Sequence, residues 1–188
     1  GDMALAALVK KCAAGGELEF TNYGAYLAAN PATEWAILHE GEEKKGTSWS
    51  CTHGVSRWYK DCGCYTGGNE NWNQKWRTPL RRAFDTLANR IDEIYIEEAT
   101  KIVGSEEAAI DLLNRFAPVA SHVIGLEEYL RPITREANTI TELGCLLQGQ
   151  KYKHYSYTSC GWFFNDLAGL EPKQNITYAL MAATLYEK

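Results

Sequence analysis

No run of apolar residues reaches the roughly 18 to 20 that a bilayer-spanning helix needs, and the opening residues lack the basic-then-apolar order of a secretory leader. A soluble, cytoplasmic chain without a membrane partner is the expectation. An excess of positive charge is missing as well. The 19 Lys and Arg stand against 24 Asp and Glu, for a formal charge of -5, the reverse of the footprint that neutralises phosphates, so no nucleic-acid partner is expected. Cysteine is too sparse for a disulfide-held scaffold, at 6 in 188 residues, and with no leader this favours a reducing compartment. Repeats and low-complexity tracts are absent. A composition of 45% hydrophobic and 23% charged residues excludes a disordered chain or a coiled-coil rod. The length excludes a complete large barrel enzyme and predicts one domain over residues 1–188.

Strand-like alternation is nearly missing too, with residues 33–40 and 152–158 its only candidates. Helical spacing dominates instead. Leu80, Phe84, Leu87, Ile91 and Ile94 recur at intervals of four and three, which predicts one long helix over residues 75–101, opened by Thr78 and Pro79, with Arg77, Arg81 and Arg82 on its outer face. Ser105 reads as the cap of a helix over residues 106–116, stopped by Pro118. Thr139 and Glu142 have the spacing of a capping box for a helix reaching residue 155, and Pro172 opens another that runs to Tyr186. Shorter helices are predicted over residues 4–13 and 22–30, and Cys12 and Cys145 fall at core-like positions in helical segments. The expected fold is an all-α helical bundle interrupted by two long loops, residues 46–76 and 159–171, rich in aromatics and cysteine.

Long loops without regular structure of their own are more often functional than idle. The first holds Trp49, Cys51, His53, Arg57, Trp58, Cys62, Cys64, Trp72 and Trp76; the second holds Cys160, Trp162, Phe163, Phe164, Asn165 and Asp166. Flat rings beside Asn, Asp, Arg and His suit a sugar, which offers a C–H face for stacking and hydroxyls at its edge. The same rings also serve simply to pack loops onto a bundle. Cys51, His53, Cys62, Cys64 and Cys160 supply enough soft ligands for a zinc site, although the pairs Cys51-x-His53 and Cys62-x-Cys64 are tighter than the usual two-to-four-residue spacing. Buried inert thiols or a disulfide pair are the alternatives. His39, His122 and His154 stand alone, Gly67-Gly68 lacks the strand–helix context of a phosphate loop, and Asp61, Glu70, Asp166 and Glu171 form no recognisable catalytic pair.

The run Thr47-Ser-Trp-Ser-Cys-x-His-Gly-Val-x-Arg-Trp-x-x-Asp-Cys-Gly-Cys64 resembles the C-terminal domain attached to bacterial proteins of glycoside hydrolase family 57. Tyr157-Thr-Ser-Cys-Gly-Trp-Phe-Phe-Asn-Asp-Leu-Ala-Gly-Leu-Glu171, followed by Gln174-Asn175, is similar to that domain's closing motif, with Asn165 standing where the motif has Asp. Thr21-Asn-Tyr-Gly-x-Tyr-Leu27 resembles the segment joining barrel to helices. The resemblance implies a groove-closing helical domain whose catalytic carboxylates lie on an upstream barrel, so that this chain alone is inactive and needs no cofactor. It implies an α-glucan partner, with Trp162 and Phe163 stacking on sugar, Asp166, Arg57 and His53 binding hydroxyls, and Trp49 and Trp58 bordering the groove. The alternative is a zinc-stabilised scaffold or dimerisation domain with no ligand of its own, its metal held by Cys51, Cys62, Cys64 and Cys160.

Overall fold

The three- and four-residue spacing of apolar positions makes helices. In the computed structural model, which describes residues 1–16 and 18–187, the chain is all-α, with no strand among the described residues and a single isolated bridge between Ser48 and Cys51. The two strand candidates therefore fail: residues 33–40 are irregular, and Tyr152 to Tyr155 form the last turn of a helix. Contacts divide the chain into two compact units, residues 1–39 and 40–188, where one domain is predicted. The first unit contains α1 (Asp2–Gly15) and α2 (Tyr23–Ala29), the latter capped by Asn22, whose side chain accepts from the Ala25 N–H at 2.9 Å. No described residue of this unit is buried, and Cys12 is half-buried rather than in a core.

The second unit is built on α3 (Arg77–Val103), α4 (Glu106–Asn114), α5 (Ala117–Ala120), α6 (Leu126–Leu130), α7 (Ala137–Tyr155) and α8 (Leu170–Tyr186). The predicted stripe of α3 is its packing face, with Phe84 and Ile91 buried and Tyr95 and Ala99 extending the row. Pro79 and Pro172 each sit in a first turn, where a missing N–H costs no helical bond. Ser105 caps α4 by accepting from the Ala108 N–H at 3.1 Å; the helix stops at Asn114, and Pro118 opens α5 rather than simply ending α4. The Thr139 cap does not form. Helix α7 starts earlier, at Ala137, and the Thr139 hydroxyl donates to the Glu136 carboxylate at 3.1 Å.

Two cores result. One joins α3, α4, α6 and α7 around Tyr95, Ala99, Leu112, Leu130, Leu143 and Leu147. The other lies at the N-terminal end of α3, where Phe84, Trp162 and Ala179 pack with Trp58, Trp76 and Tyr157. This second core is where both long loops converge. Arg77, expected on the outer face, is fully buried there, because the second loop lies across the start of α3.

Candidate functional site

Side chains in the first loop converge because the backbone turns tightly. Gly54 takes a φ of 63°, and a Cβ there would stand 2.7 Å from the Gly46 carbonyl oxygen, so only glycine lets these strands of loop approach. Gly63, with φ 76°, sits between Cys62 and Cys64 and lets the chain bend at that pair. A short 3-10 turn, Ser56–Trp58, then carries Arg57 inward.

The two loops are tied by a network centred on Asn165, which is 4% exposed. Its Oδ1 accepts from Gln74 Nε2 at 2.5 Å and from the Thr66 hydroxyl at 3.3 Å, while its Nδ2 donates to the Gly67 carbonyl at 3.2 Å. Trp76 Nε1 donates to the Asn165 carbonyl at 3.1 Å, and Trp58 Nε1 donates to the Ser159 carbonyl at 3.3 Å. Arg77 donates to Gln74 Oε1 at 2.7 Å and to the carbonyls of Phe163 and Phe164, each at 3.2 Å. Burial pushes the Arg77 guanidinium pKa down; Nη1 and Nη2 are hydrogen-bonded, while Nε is buried without a partner.

Each predicted sugar contact has a definite position. Trp162 is 1% exposed, stacked on Trp76 at 6.1 Å and met edge-on by Phe84 at 5.9 Å, so it packs the core and has no face left for a ligand. Arg57 is 2% exposed and lies over the Phe163 ring at 4.6 Å, which keeps its guanidinium away from the surface, and Phe163 itself is half-buried. Asp166 accepts from the Ala168 N–H at 2.8 Å, a bond within its own loop. Trp49 is 97% exposed, and His53 belongs to a thiol cluster. Trp58 lines a ligand-sized cavity.

That cavity is an open cleft of about 390 Å³ bounded by Lys45, Val55, Trp58, Tyr59, Arg81 and Asp85. Arg81 Nε donates to Asp85 Oδ1 at 2.9 Å, Arg81 Nη1 donates to the Trp58 carbonyl at 3.2 Å, and the Tyr157 hydroxyl donates to the same Asp85 oxygen at 2.8 Å. Both Asp85 bonds end on Oδ1, so Oδ2 keeps its acceptor capacity. Burial, reinforced by the bond to Asp85, raises the Tyr157 phenol well above its usual pKa, so it stays a donor at neutral pH. The spacing of four that puts Arg81 and Asp85 on one face of α3 is visible in the sequence; their nearness to Trp58 is not.

Beside this cleft, Cys51, His53, Cys62 and Cys64 gather with their ligand atoms all within 4.8 Å of one another. The Cys51 and Cys64 sulfurs are 3.9 Å apart, and His53 Nδ1 lies 3.8 Å from the first and 3.4 Å from the second. All six cysteines are free. Burial raises the Cys62 thiol pKa, but the Cys64 backbone, the two neighbouring thiols and Arg77 outweigh it and lower the thiol below its usual value; burial and the adjacent sulfurs raise Cys64. Cys160 does not join them. It is exposed and lines a different cleft, with Tyr155 and Tyr178. His53 takes the fourth place that the sequence assigns to Cys160.

No helix among the described residues is long and apolar enough to cross a membrane. No curated protein and no solved structure matches the chain. A family model described as Domain of unknown function (DUF3536) does match, over residues 72–188, from just before α3 through α8. That span is more than half of the sequence, and the chain belongs to this family.

Proposed function

We propose that residues 40–188 are a carbohydrate-positioning domain, the groove-closing part of a family 57-like glycoside hydrolase acting on α-linked glucan, with the catalytic carboxylates carried by an upstream barrel. The observation that carries this reading is the cleft at Trp58. An indole beside an Arg–Asp pair is chemically matched to a pyranose: the ring stacks on the C–H face, Arg81 donates to hydroxyl oxygens, and Asp85 accepts from hydroxyl hydrogens. The volume of about 390 Å³ lies within the ordinary range for small-ligand sites. The α-glucan class rests on the two motifs that resemble the family 57 tail. In this reading Trp162 and Arg57 act from beneath, fixing the loop from which Trp58 projects, and the domain contributes substrate positioning rather than proton transfer.

Titration of the full chain with linear α-glucan oligosaccharides, followed by tryptophan fluorescence, tests the proposal. A saturable change in the wild type that disappears in Trp58→Ala and persists in Trp49→Ala is expected. A wild-type signal unmoved by oligosaccharide, or a response equally strong in Trp58→Ala, would overturn it.

A further inference from the structure

The saccharide cleft leaves the thiol cluster unused. We propose that Cys51, His53, Cys62 and Cys64 bind one zinc ion, which closes residues 51–64 into a metal-tied knuckle beneath the Trp58 turn. The distances fit the edges of a tetrahedron. With zinc–sulfur and zinc–nitrogen bonds near 2.3 and 2.05 Å, a regular site has S···S edges of about 3.8 Å and S···N edges of about 3.6 Å. The cluster has 3.9 Å for the sulfurs of Cys51 and Cys64, and 3.8 and 3.4 Å for their approaches to His53 Nδ1. Three sulfurs and one imidazole nitrogen in this arrangement select zinc over hard cations, which prefer oxygen.

Charge provides a second, independent observation. Arg57 and Arg77 are 2% and 0% exposed, and among the described residues neither forms an ion pair with a carboxylate. Arg57 Nε and Nη1 are buried without a hydrogen-bond partner, and Arg77 Nη1 lies 3.7 Å from the Cys62 sulfur. Two guanidinium groups buried with no carboxylate in ion-pair contact, Asp61 acting on Arg77 only from beyond that distance, are costly. Zinc bound by three thiolates and a neutral histidine carries one net negative charge, located beside Arg77. Each thiol loses its proton on binding, so the knuckle and the buried arginines stabilise each other. The metal is also linked to the second loop, because Arg77 bonds the Phe163 and Phe164 carbonyls.

The test uses the full chain, purified with zinc and then dialysed. One tightly held zinc per chain is expected. The metal-free chain titrated with Co²⁺ should develop tetrahedral d–d bands together with sulfur-to-cobalt charge transfer. Cys64→Ser and His53→Ala should lose both zinc and the cobalt spectrum, whereas Cys160→Ser should keep both, with circular dichroism reporting the helices in every variant. A wild-type chain that retains less than about a tenth of an equivalent of zinc and gives no tetrahedral cobalt bands would overturn the site. So would a Cys160→Ser variant that loses metal as fully as Cys64→Ser. Because the wild-type cobalt titration stands by itself, misfolding of a variant leaves the proposal falsifiable.

Discussion

Replacing Asn165 by Leu keeps the number of side-chain heavy atoms and removes the three hydrogen bonds that this side chain makes across the two loops. The groups left behind are not equally affected. Gly67 is exposed and Thr66 half-buried, so water replaces Asn165 for the first, and the Thr66 hydroxyl keeps its bond to the Phe163 carbonyl at 3.4 Å. Gln74 is different: at 4% exposure, its second amide hydrogen, bonded to Asn165 Oδ1 at 2.5 Å, has nowhere else to go. Stranding a buried donor costs about 1–3 kcal/mol, so a loss of about 2 kcal/mol is expected. For a unit of this size that corresponds to a fall in melting temperature of about 4–8 °C. Asn165→Asp keeps the acceptor for Gln74 and Thr66, surrenders only the donor to exposed Gly67, and sets its charge in the neighbourhood of Arg77. It should therefore cost less, under about 1 kcal/mol. Urea unfolding followed by tryptophan fluorescence reads both, since Trp76 and Trp162 adjoin the site. A Leu variant within about 0.5 kcal/mol of wild type, or an Asp variant less stable than Leu, would refute the reasoning.

Tyr95→Phe removes the donor to the buried Ala109 carbonyl, a bond of 2.7 Å, and should cost about 1 kcal/mol by urea unfolding. Gly149→Ala would place a Cβ 2.1 Å from the Tyr186 ring, whose hydroxyl is anchored to the Leu146 carbonyl at 2.7 Å; a loss of about 1–3 kcal/mol in thermal unfolding is expected from the forced shift between α7 and α8. Ser105→Ala deletes the cap of α4 and should cost about 1 kcal/mol, with Ser105→Asp restoring most of it.

Helices were legible in the sequence because a 3.6-residue repeat of apolar side chains is a local signal. Phe84 and Ile91 of the predicted stripe are buried, whereas Tyr95 and Ala99, outside that stripe, take the buried places beyond them and Ile94 is only half-buried; the all-α fold follows from many such stripes. Charged and amide residues misled for the opposite reason. Arg77, Gln74 and Asn165 belong to types that usually face water, and only the crossing of two loops distant in sequence buries them. The same limit applied to function. Clustered aromatics marked where the loops matter, yet nothing local separates Trp162, which packs, from Trp58, which lines a cleft. The Cys-x-His and Cys-x-Cys spacings are tighter than the usual two-to-four-residue pattern, yet the turns at Gly54 and Gly63 bring the four side chains together. The separation of Cys160 from the other thiols carries no local signal, because it is set by the fold of the second loop, which leaves Cys160 exposed in a different cleft.

Calorimetric titration of a linear α-glucan oligosaccharide into the wild-type chain and into Asp85→Ala tests the carbohydrate reading most directly. A saturable heat at one site per chain is expected, with binding at least about tenfold weaker in the variant, the loss of a good polar contact. Absence of saturable heat in the wild type, or equal affinity in the two proteins, would contradict it.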